Sequence, residues 1–326
     1  MQRRLLGRWT AAAGLATLSR CAAACAQQGF PNRPLKLVVP FPAGGGTDVL
    51  ARALGEGLSR ELGQPVIVDN KAGAGTVIGN DVVAKSAPDG HTLLLTTSAI
   101  AIVPSLYPKL PYAAETALVP VLLLGVAPNV AVVRAESPLR SASDLLQRLR
   151  AEPGRLSYAS AGNGTTTHLA AELLKSSTGL SMTHVPYRGA TPAITDVLAG
   201  QVDLMFGTLP SVAPFIKSGK VRALGVTGAK RSPLFPDVPT FAESGAPGYS
   251  ADVLYGVFVT GGTPDSAIER LGAAVRKAGR TESFQRRAEA EGLVLTLNGA
   301  AEALRIQRAE EAKWRQLIKA NGIVAE

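Results

Sequence analysis

A chain of 326 residues is long enough for two domains of ordinary size, and 46% hydrophobic with 18% charged residues is a globular composition that excludes intrinsic disorder. Aromatic residues make up only 5%, so stacking on bases or sugar rings is not a theme of this chain. The net charge of +9 overstates the basicity of the folded part, because four arginines sit in the first 26 residues.

Those 26 residues read as a secretory signal. MQRRLLGR supplies a basic start, WTAAAGLATL a short apolar stretch, and Ala24-Cys25-Ala26 an A-x-A cleavage site. The apolar run falls short of the roughly 20 residues a bilayer crossing needs. Removing residues 1–26 takes away Arg3, Arg4, Arg8 and Arg20 and no acid, which lowers +9 to +5. It also removes Cys21 and Cys25, the two cysteines of the chain, and with them any disulfide framework, thiol nucleophile or cysteine metal site. Ala22-Ala23-Ala24-Cys25 offers an alternative reading as a poor lipobox with Cys25 lipidated; cleavage after Ala26 is the expectation, and a periplasmic destination follows.

Strand and helix patterns then alternate. Leu35–Phe41 is a β-branched apolar run, and Thr47–Leu62 has helical spacing through Val49, Leu50, Ala53, Leu54 and Leu58. Pro65–Val68 reads as a strand, Val77–Ala84 as a helix and Thr92–Thr96 as a strand, a βαβαβ order that implies a parallel sheet. Leu118–Val126 and Asn129–Arg134 are apolar runs with a Pro-Asn break between them. A second unit follows: helix Ser143–Arg150, strand Leu156–Ser160, helix Thr165–Ser176, strand Met182–Pro186, helix Pro192–Ala199, then strands Val202–Phe206 and Val221–Val226. Tyr249–Val259 is strand-like and returns to the first unit. Helical patterns at Ile268–Ala278, Glu282–Glu291 and Ala301–Ala320 complete the chain.

Two α/β units joined in this way leave a cleft between them, and in open parallel sheets ligands bind at the carboxyl ends of the strands. Here that means the loops after Phe41, Thr96, Ser160, Pro186 and Phe206. The first is Pro42-Ala43-Gly44-Gly45-Gly46-Thr47-Asp48. Glycines let a ligand approach the backbone closely, and a helix N-terminus offers unpaired N–H groups, which together make an anion site. The plainer reading is a tight turn with Thr47 or Asp48 capping the helix. A nucleotide site is a third: Gly44-x-Gly46 follows a strand and Asp69 ends the next, but the third glycine of the fingerprint and a Gly-Lys-Thr/Ser are missing. The second unit repeats the device in Ser160-Ala161-Gly162-Asn163-Gly164-Thr165-Thr166-Thr167-His168.

Val185-Pro186-Tyr187-Arg188-Gly189 places Tyr187 and Arg188 just after a strand. Arg188 suits a bidentate contact with a carboxylate or, equally, a structural pair with Asp196 or Asp203. Asp203, at the start of an apolar strand, needs a partner and is a candidate brace for the Arg188 loop. Catalysis finds little support. His91 lies in a turn and is expected to be exposed, His184 alternates with apolar residues on a strand, and His168 in the first turn of a helix is expected to be neutral. No pair has metal-ligand spacing and no Gly-x-Ser-x-Gly elbow exists, so an exported α/β hydrolase has no evident nucleophile. The scattered basic residues do not form a nucleic-acid surface.

Taken in order, these segments resemble the solute-binding proteins of tripartite tricarboxylate transporters, the Bug or TctC family. Phe30–Phe41, Ala43–Asp48, Asp69–Gly75, Asp89–Leu94, Val185–Gly189 and Pro236–Thr240 carry the resemblance, with His91 where the family has Tyr and departures at Asp69, Lys71 and Ala72. The resemblance implies an α/β, two-lobed Venus-flytrap fold of the type II periplasmic binding protein kind. Lobe 1 would comprise 27–128 plus 255–326, and lobe 2 would comprise 129–254. It implies a small carboxylate closed between the lobes, a membrane permease as partner, no cofactor and no enzymatic activity. By position, Ala43, Gly44, Gly45, Thr47 and Asp48 would contact the ligand with Ser98 nearby. The second lobe would offer Ser160, Gly162, Asn163, Gly164, Thr165, Thr166, Tyr187 and Asp203.

Overall fold

The structure is a computed structural model and describes residues 29–324; the expected leader and both cysteines lie outside the described residues. Ten strands form one continuous hydrogen-bonded sheet with helices packed on its faces. The first part runs β1 (Leu35–Val39), α1 (Gly46–Leu62), β2 (Val66–Asn70), α2 (Val77–Ala84), β3 (Thr92–Thr97) and α3 (Ala99–Leu106). β1 pairs in parallel with both β2 and β3, as the βαβαβ pattern requires. In α1, Leu50, Ala51, Leu54, Leu58 and Leu62 recur at helical spacing and are all buried, and the helix ends at Gly63 in the left-handed conformation.

The centre of the molecule is β4 (Leu118–Arg134), a strand of 17 residues. The expected break at Pro128-Asn129 is absent, and the reason is pairing. Up to Pro128, β4 runs antiparallel to β9 (Asp252–Thr260) and β10 (Val294–Gly299). From Asn129 onward it pairs with β7 (Leu204–Thr208) and β8 (Val221–Val226). Pro128 therefore falls at the changeover between two sets of partners, where its missing N–H interrupts no continuous ladder. Between β4 and β7 lie α4 (Ala142–Ala151), β5 (Ser157–Ser160), α5 (Thr166–Thr178), β6 (Thr183–Pro186) and α6 (Ala190–Leu198). β5 pairs in parallel with β6 and β7, which makes a second parallel unit. The chain continues through α7 (Leu209–Lys217), and after β9 come α8 (Asp265–Gly279), α9 (Glu282–Ala290) and, beyond β10, α10 (Ala300–Ala320).

Three elements are not foreshadowed by periodicity. α3 is apolar on nearly every side because it is buried, so it has no stripe, and it contains Pro104. α7 carries Pro210 in its first turn, which a helix accepts, and Pro214 within. β10 is short and shifts register between Leu295 and Asn298. His91 is buried rather than exposed: the edge of Phe30 packs 4.9 Å from its ring and Nδ1 lies 3.2 Å from Asp89.

Separate apolar clusters sit on the sheet. One joins Leu37, Leu54, Leu95, Val257 and Val275, and another joins Val132, Met205, Val197 and Val212. In a third, Trp314, Leu317 and Ile318 of α10 meet Ile102 of α3 together with Leu145, Tyr158 and Phe206. The last long helix thus packs against elements of both parallel units.

Candidate functional site

The carboxyl ends of β1, β3, β5, β6 and β7 converge on one cleft. Its inner chamber has a volume of about 100 Å³ and is bounded by Gly45, Gly46, Thr47, Thr97, Thr165, Thr166, Thr167, Ala190, Thr191, Thr208 and Ser211, among others. A vestibule of about 600 Å³ adjoins it, between Ala72–Thr76 and Tyr107 on one side and Gly162, Asn163, Tyr187 and Arg188 on the other. Phe41, Pro42, Ala161, Thr165, Arg188 and Gly189 line both.

Four helices begin at the inner chamber: α1 after Gly45, α5 after Thr165, α6 after Gly189 and α7 after Thr208. Each presents first-turn N–H groups without an intrahelical acceptor and the positive end of its dipole. Gly45, Gly189 and Thr208 provide no side-chain cap, so the termini of α1, α6 and α7 keep those donors free of capping side chains. Among the described residues, no acidic side chain lines either chamber. Below the chamber, two fully buried polar atoms have no hydrogen-bond partner, the Tyr255 hydroxyl and Asn129 Oδ1. Tyr255 lies beside Thr47 and Thr208, and burial holds its phenol well above the usual range. Asn129 sits opposite Thr208 on β4 and donates from Nδ2 to the Thr166 carbonyl over 3.3 Å. Buried polar atoms of this kind call for a polar occupant nearby.

The three adjacent glycines have three different tasks. Gly44 has φ +82°, a conformation that side chains resist. Gly45 is the residue before the helix. Gly46 has no room for a Cβ, which would lie 2.3 Å from Cβ of Pro210 on α7. Gly189 faces Pro42 in the same way, at 3.1 Å. These are contacts between the first parallel unit and the second, so the absent side chains let the units close on each other.

Of the residues expected as contacts, Gly45, Thr47, Thr165 and Thr166 line the inner chamber, and Gly162, Asn163 and Tyr187 line the vestibule. The others are placed differently. Ala43 and Gly44 are exposed and line neither chamber. Asp48 is buried behind it, with its oxygens already taken: it accepts from Gly44 N at 2.9 Å, Arg52 Nε at 3.0 Å and Asn70 Nδ2 at 3.0 Å. Burial raises its pKa, and those three donors outweigh burial, leaving the carboxyl below the usual range. Asp48 is a positioning residue for the glycine loop. Ser98 is buried and accepts from Leu254 N at 2.8 Å, pinning β9; its neighbour Thr97 reaches the chamber instead.

Ser160 and Gly164 shape the second loop from behind. Gly162 N donates to Ser160 Oγ, Ala161 N to Thr167 Oγ1 and Gly164 N to Nδ1 of His168. Ser160 Oγ also lies 2.7 Å from Nε2 of His184, whose ring stacks on His168 at 4.0 Å. Both imidazoles are neutral at pH 7. Burial and then Lys175 lower the pKa of His168 to about 4, and burial and then His168 lower that of His184 to about 3. Asp203 is not at the cleft. It precedes β7 at the opposite, amino end of the parallel strands, where Ser157 donates to it from N and Oγ, both at 2.8 Å. Arg188 pairs with neither Asp203 nor Asp196; the latter accepts from the Tyr187 hydroxyl at 2.7 Å.

Thr208, Ser211, Ala190 and Thr191 were not anticipated. The signal was available in part, since the loop after Phe206 follows a parallel strand, but Pro210 masked the helix that begins there. Among the described residues, no cluster has metal-binding composition and no helix is long and apolar enough to cross a membrane.

Residues 50–323 match the model of the tripartite tricarboxylate transporter family receptor, TctC. The chain belongs to this receptor family. Among TctC relatives, a protein encoded in the tcbD-tcbE intergenic region of Pseudomonas sp. strain P51 is 42% identical over 317 residues, covering 96% of this chain and 94% of that one. The periplasmic binding protein BugD superposes with a TM-score of 0.84 at 35% identity, covering 91% of this chain and 100% of BugD. An R. palustris protein solved with adipate superposes with a TM-score of 0.86 at 34% identity, with the same coverage. This TctC chain accordingly has the two-lobed periplasmic-binding-protein fold.

Replacing Gly46 with Ala forces α1 and α7 apart, and calorimetry should show at least tenfold weaker ligand binding with little loss of stability; unchanged affinity would remove the closure role. Asp48→Ala frees Gly44 N and leaves Arg52 and Asn70 without their acceptor, a loss of about 1–3 kcal/mol in urea unfolding and a clear loss of affinity. Asp69→Ala, which touches only the half-exposed Lys36 and Lys71, should stay within about 0.5 kcal/mol and bind normally. For His168, the unfolded chain takes up a proton near pH 6.5 and the folded chain only near pH 4, so stability falls as pH drops between these values. From pH 7 to pH 4.5 the wild type should lose roughly 2 kcal/mol more than His168→Gln, measured by urea unfolding.

Proposed function

We propose that this chain is a periplasmic solute-binding protein that closes around a small carboxylate and presents the closed form to a tripartite tricarboxylate-type permease. The observation that carries this reading is the convergence of four helix N-termini, from both parallel units, on one small chamber with no acid in its lining. Each terminus favours an anion by about 0.3–1 kcal/mol when exposed and up to ~2 when partly buried. Four together supply on the order of 1–8 kcal/mol before the cost of closure. The hydroxyls of Thr47, Thr166 and Thr208 add donors that adapt to ligand shape, while that of Thr165 is spent on the Gly162 carbonyl. The adipate held by the R. palustris relative is a ligand of this chemistry.

The changeover of β4 partners at Pro128-Asn129 supports lobes of 27–128 plus 255–326 and 129–254, with the return placed nearer Asp252, where β9 begins to pair with β4. An anion that contacts α1 from one lobe and α5, α6 and α7 from the other pulls the open–closed equilibrium toward closed. The leader-like first 26 residues and the periplasmic location of BugD support export to the periplasm.

The enzyme reading is disfavoured by geometry. A serine–histidine pair does lie behind the second loop, but Ser160 is fully buried, lines neither chamber, and faces an imidazole too weak to act as a base near neutrality. The nucleotide reading meets a chamber of about 100 Å³ and a buried Asp48 carboxylate behind the glycines, poor company for a pyrophosphate.

A thermal-shift screen of protein refolded to strip bound ligand checks the assignment. A carboxylate at 100 times its Kd stabilises by about 2.7 kcal/mol, a rise of several degrees, while the matching amide leaves the melting temperature unchanged. A flat response to every acid, with a rise on NAD or turnover of an ester, would overturn the assignment.

A further inference from the structure

Arg188 is the one charged side chain lining either chamber, among the described residues. It reaches both, standing at the boundary between the helix termini of the inner chamber and the vestibule. It is exposed and, among the described residues, makes no ion pair or side-chain hydrogen bond; the carboxylates nearest in sequence, Asp196 and Asp203, are engaged by Tyr187 and Ser157. The loop that carries it is held firmly. Tyr187 N donates to the Ser160 carbonyl at 3.2 Å, Gly189 N to the Ala161 carbonyl at 3.1 Å, and Gly189 packs against Pro42 of the facing loop. A rigid backbone on both sides of an unpaired guanidinium is a preorganised receptor for a planar anion.

We infer that Arg188 determines specificity by receiving a second acidic group of the ligand, so that the protein prefers diacids to monoacids of equal length. This rests on the carboxylate reading of the cleft. The first carboxylate occupies the inner chamber against uncharged N–H and hydroxyl donors, which accept any carboxylate without regard to its substituent. The far end of the ligand then lies at the chamber's boundary, where the other wall groups, Phe41, Pro42, Ala161, Thr165 and Gly189, carry no charge to discriminate. A guanidinium there rewards a carboxylate with a bidentate contact and gives a neutral amide much less. The inner chamber therefore sets that the ligand is an acid, and Arg188 sets what its other end must be.

Calorimetry on the ligand-stripped protein tests this with the unbranched α,ω-dicarboxylates of four to six carbons and their monoamides. The wild type should bind the best diacid at least tenfold more tightly than its monoamide. Arg188→Gln should weaken the diacid about tenfold and leave the monoamide within twofold, which also shows that the variant is folded and its inner chamber intact. Arg188→Lys, which keeps the charge and loses the bidentate fork, should fall between the two. An equal loss for diacid and monoamide, or no loss for either, overturns the specificity role. Absence of binding by the wild type to every acid in the panel would instead overturn the carboxylate reading itself.

Discussion

The contact of Gly46 with Pro210 sets the terms for the whole cleft. Helix dipoles act over about a turn, so two termini share one anion only when their backbones nearly touch. A single Cβ at Gly46 would overlap the ring of Pro210 and hold α1 away from α7. Removing side chains at the seam is what allows donors from separate parallel units to meet. The same glycines that expose N–H groups to the chamber also allow it to close.

Around that seam the structure divides labour between groups that face the chamber and groups that hold them. Apart from Arg188 at the boundary, the facing groups are neutral: backbone amides and hydroxyls. Those holding them are polar or charged side chains behind the loops, with Asp48, Arg52 and Asn70 behind the first and Ser160, His168 and His184 behind the second. Keeping Asp48 ionised behind the loop, and the two histidines neutral, arranges donors without adding a second charge to the wall that Arg188 borders. A wall of this kind binds by geometry and is tolerant of what the rest of the ligand carries, which leaves a single cation at the boundary with unusual influence.

The order of elements was legible because α/β periodicity is local: β1, α1, α2, β3 and β8 appear within a residue or two of where alternation and helical spacing put them. The cleft was legible too, since the carboxyl ends of parallel strands are where such sheets bind, and the loops after Phe41, Thr96, Ser160, Pro186 and Phe206 all reach it. α3 escaped because a helix buried on every side has no polar face to set its period. β4 was divided at Pro128 because a proline's cost in a strand depends on which neighbour lies beside it, and neighbours are not local information. Among single residues, Asp48, Ser160 and Asp203 bear the chemistry of a ligand contact, yet each is occupied by partners 2 to 46 positions away in the chain.

Composition, periodicity and motif order alone determined that this is an α/β chain with two parallel units and two glycine-rich helix starts, because each of those properties is written in residues close together. Tertiary structure alone decided that four helix starts meet rather than two, that Gly46 is needed for closeness and Gly44 for conformation, and that Arg188 stands unpaired while Asp196 is taken by Tyr187 and Asp203 lies at the far end of the strands. Those outcomes depend on which segments are brought within a few ångströms of each other, and that distance is a property of the packed sheet, not of any stretch of chain.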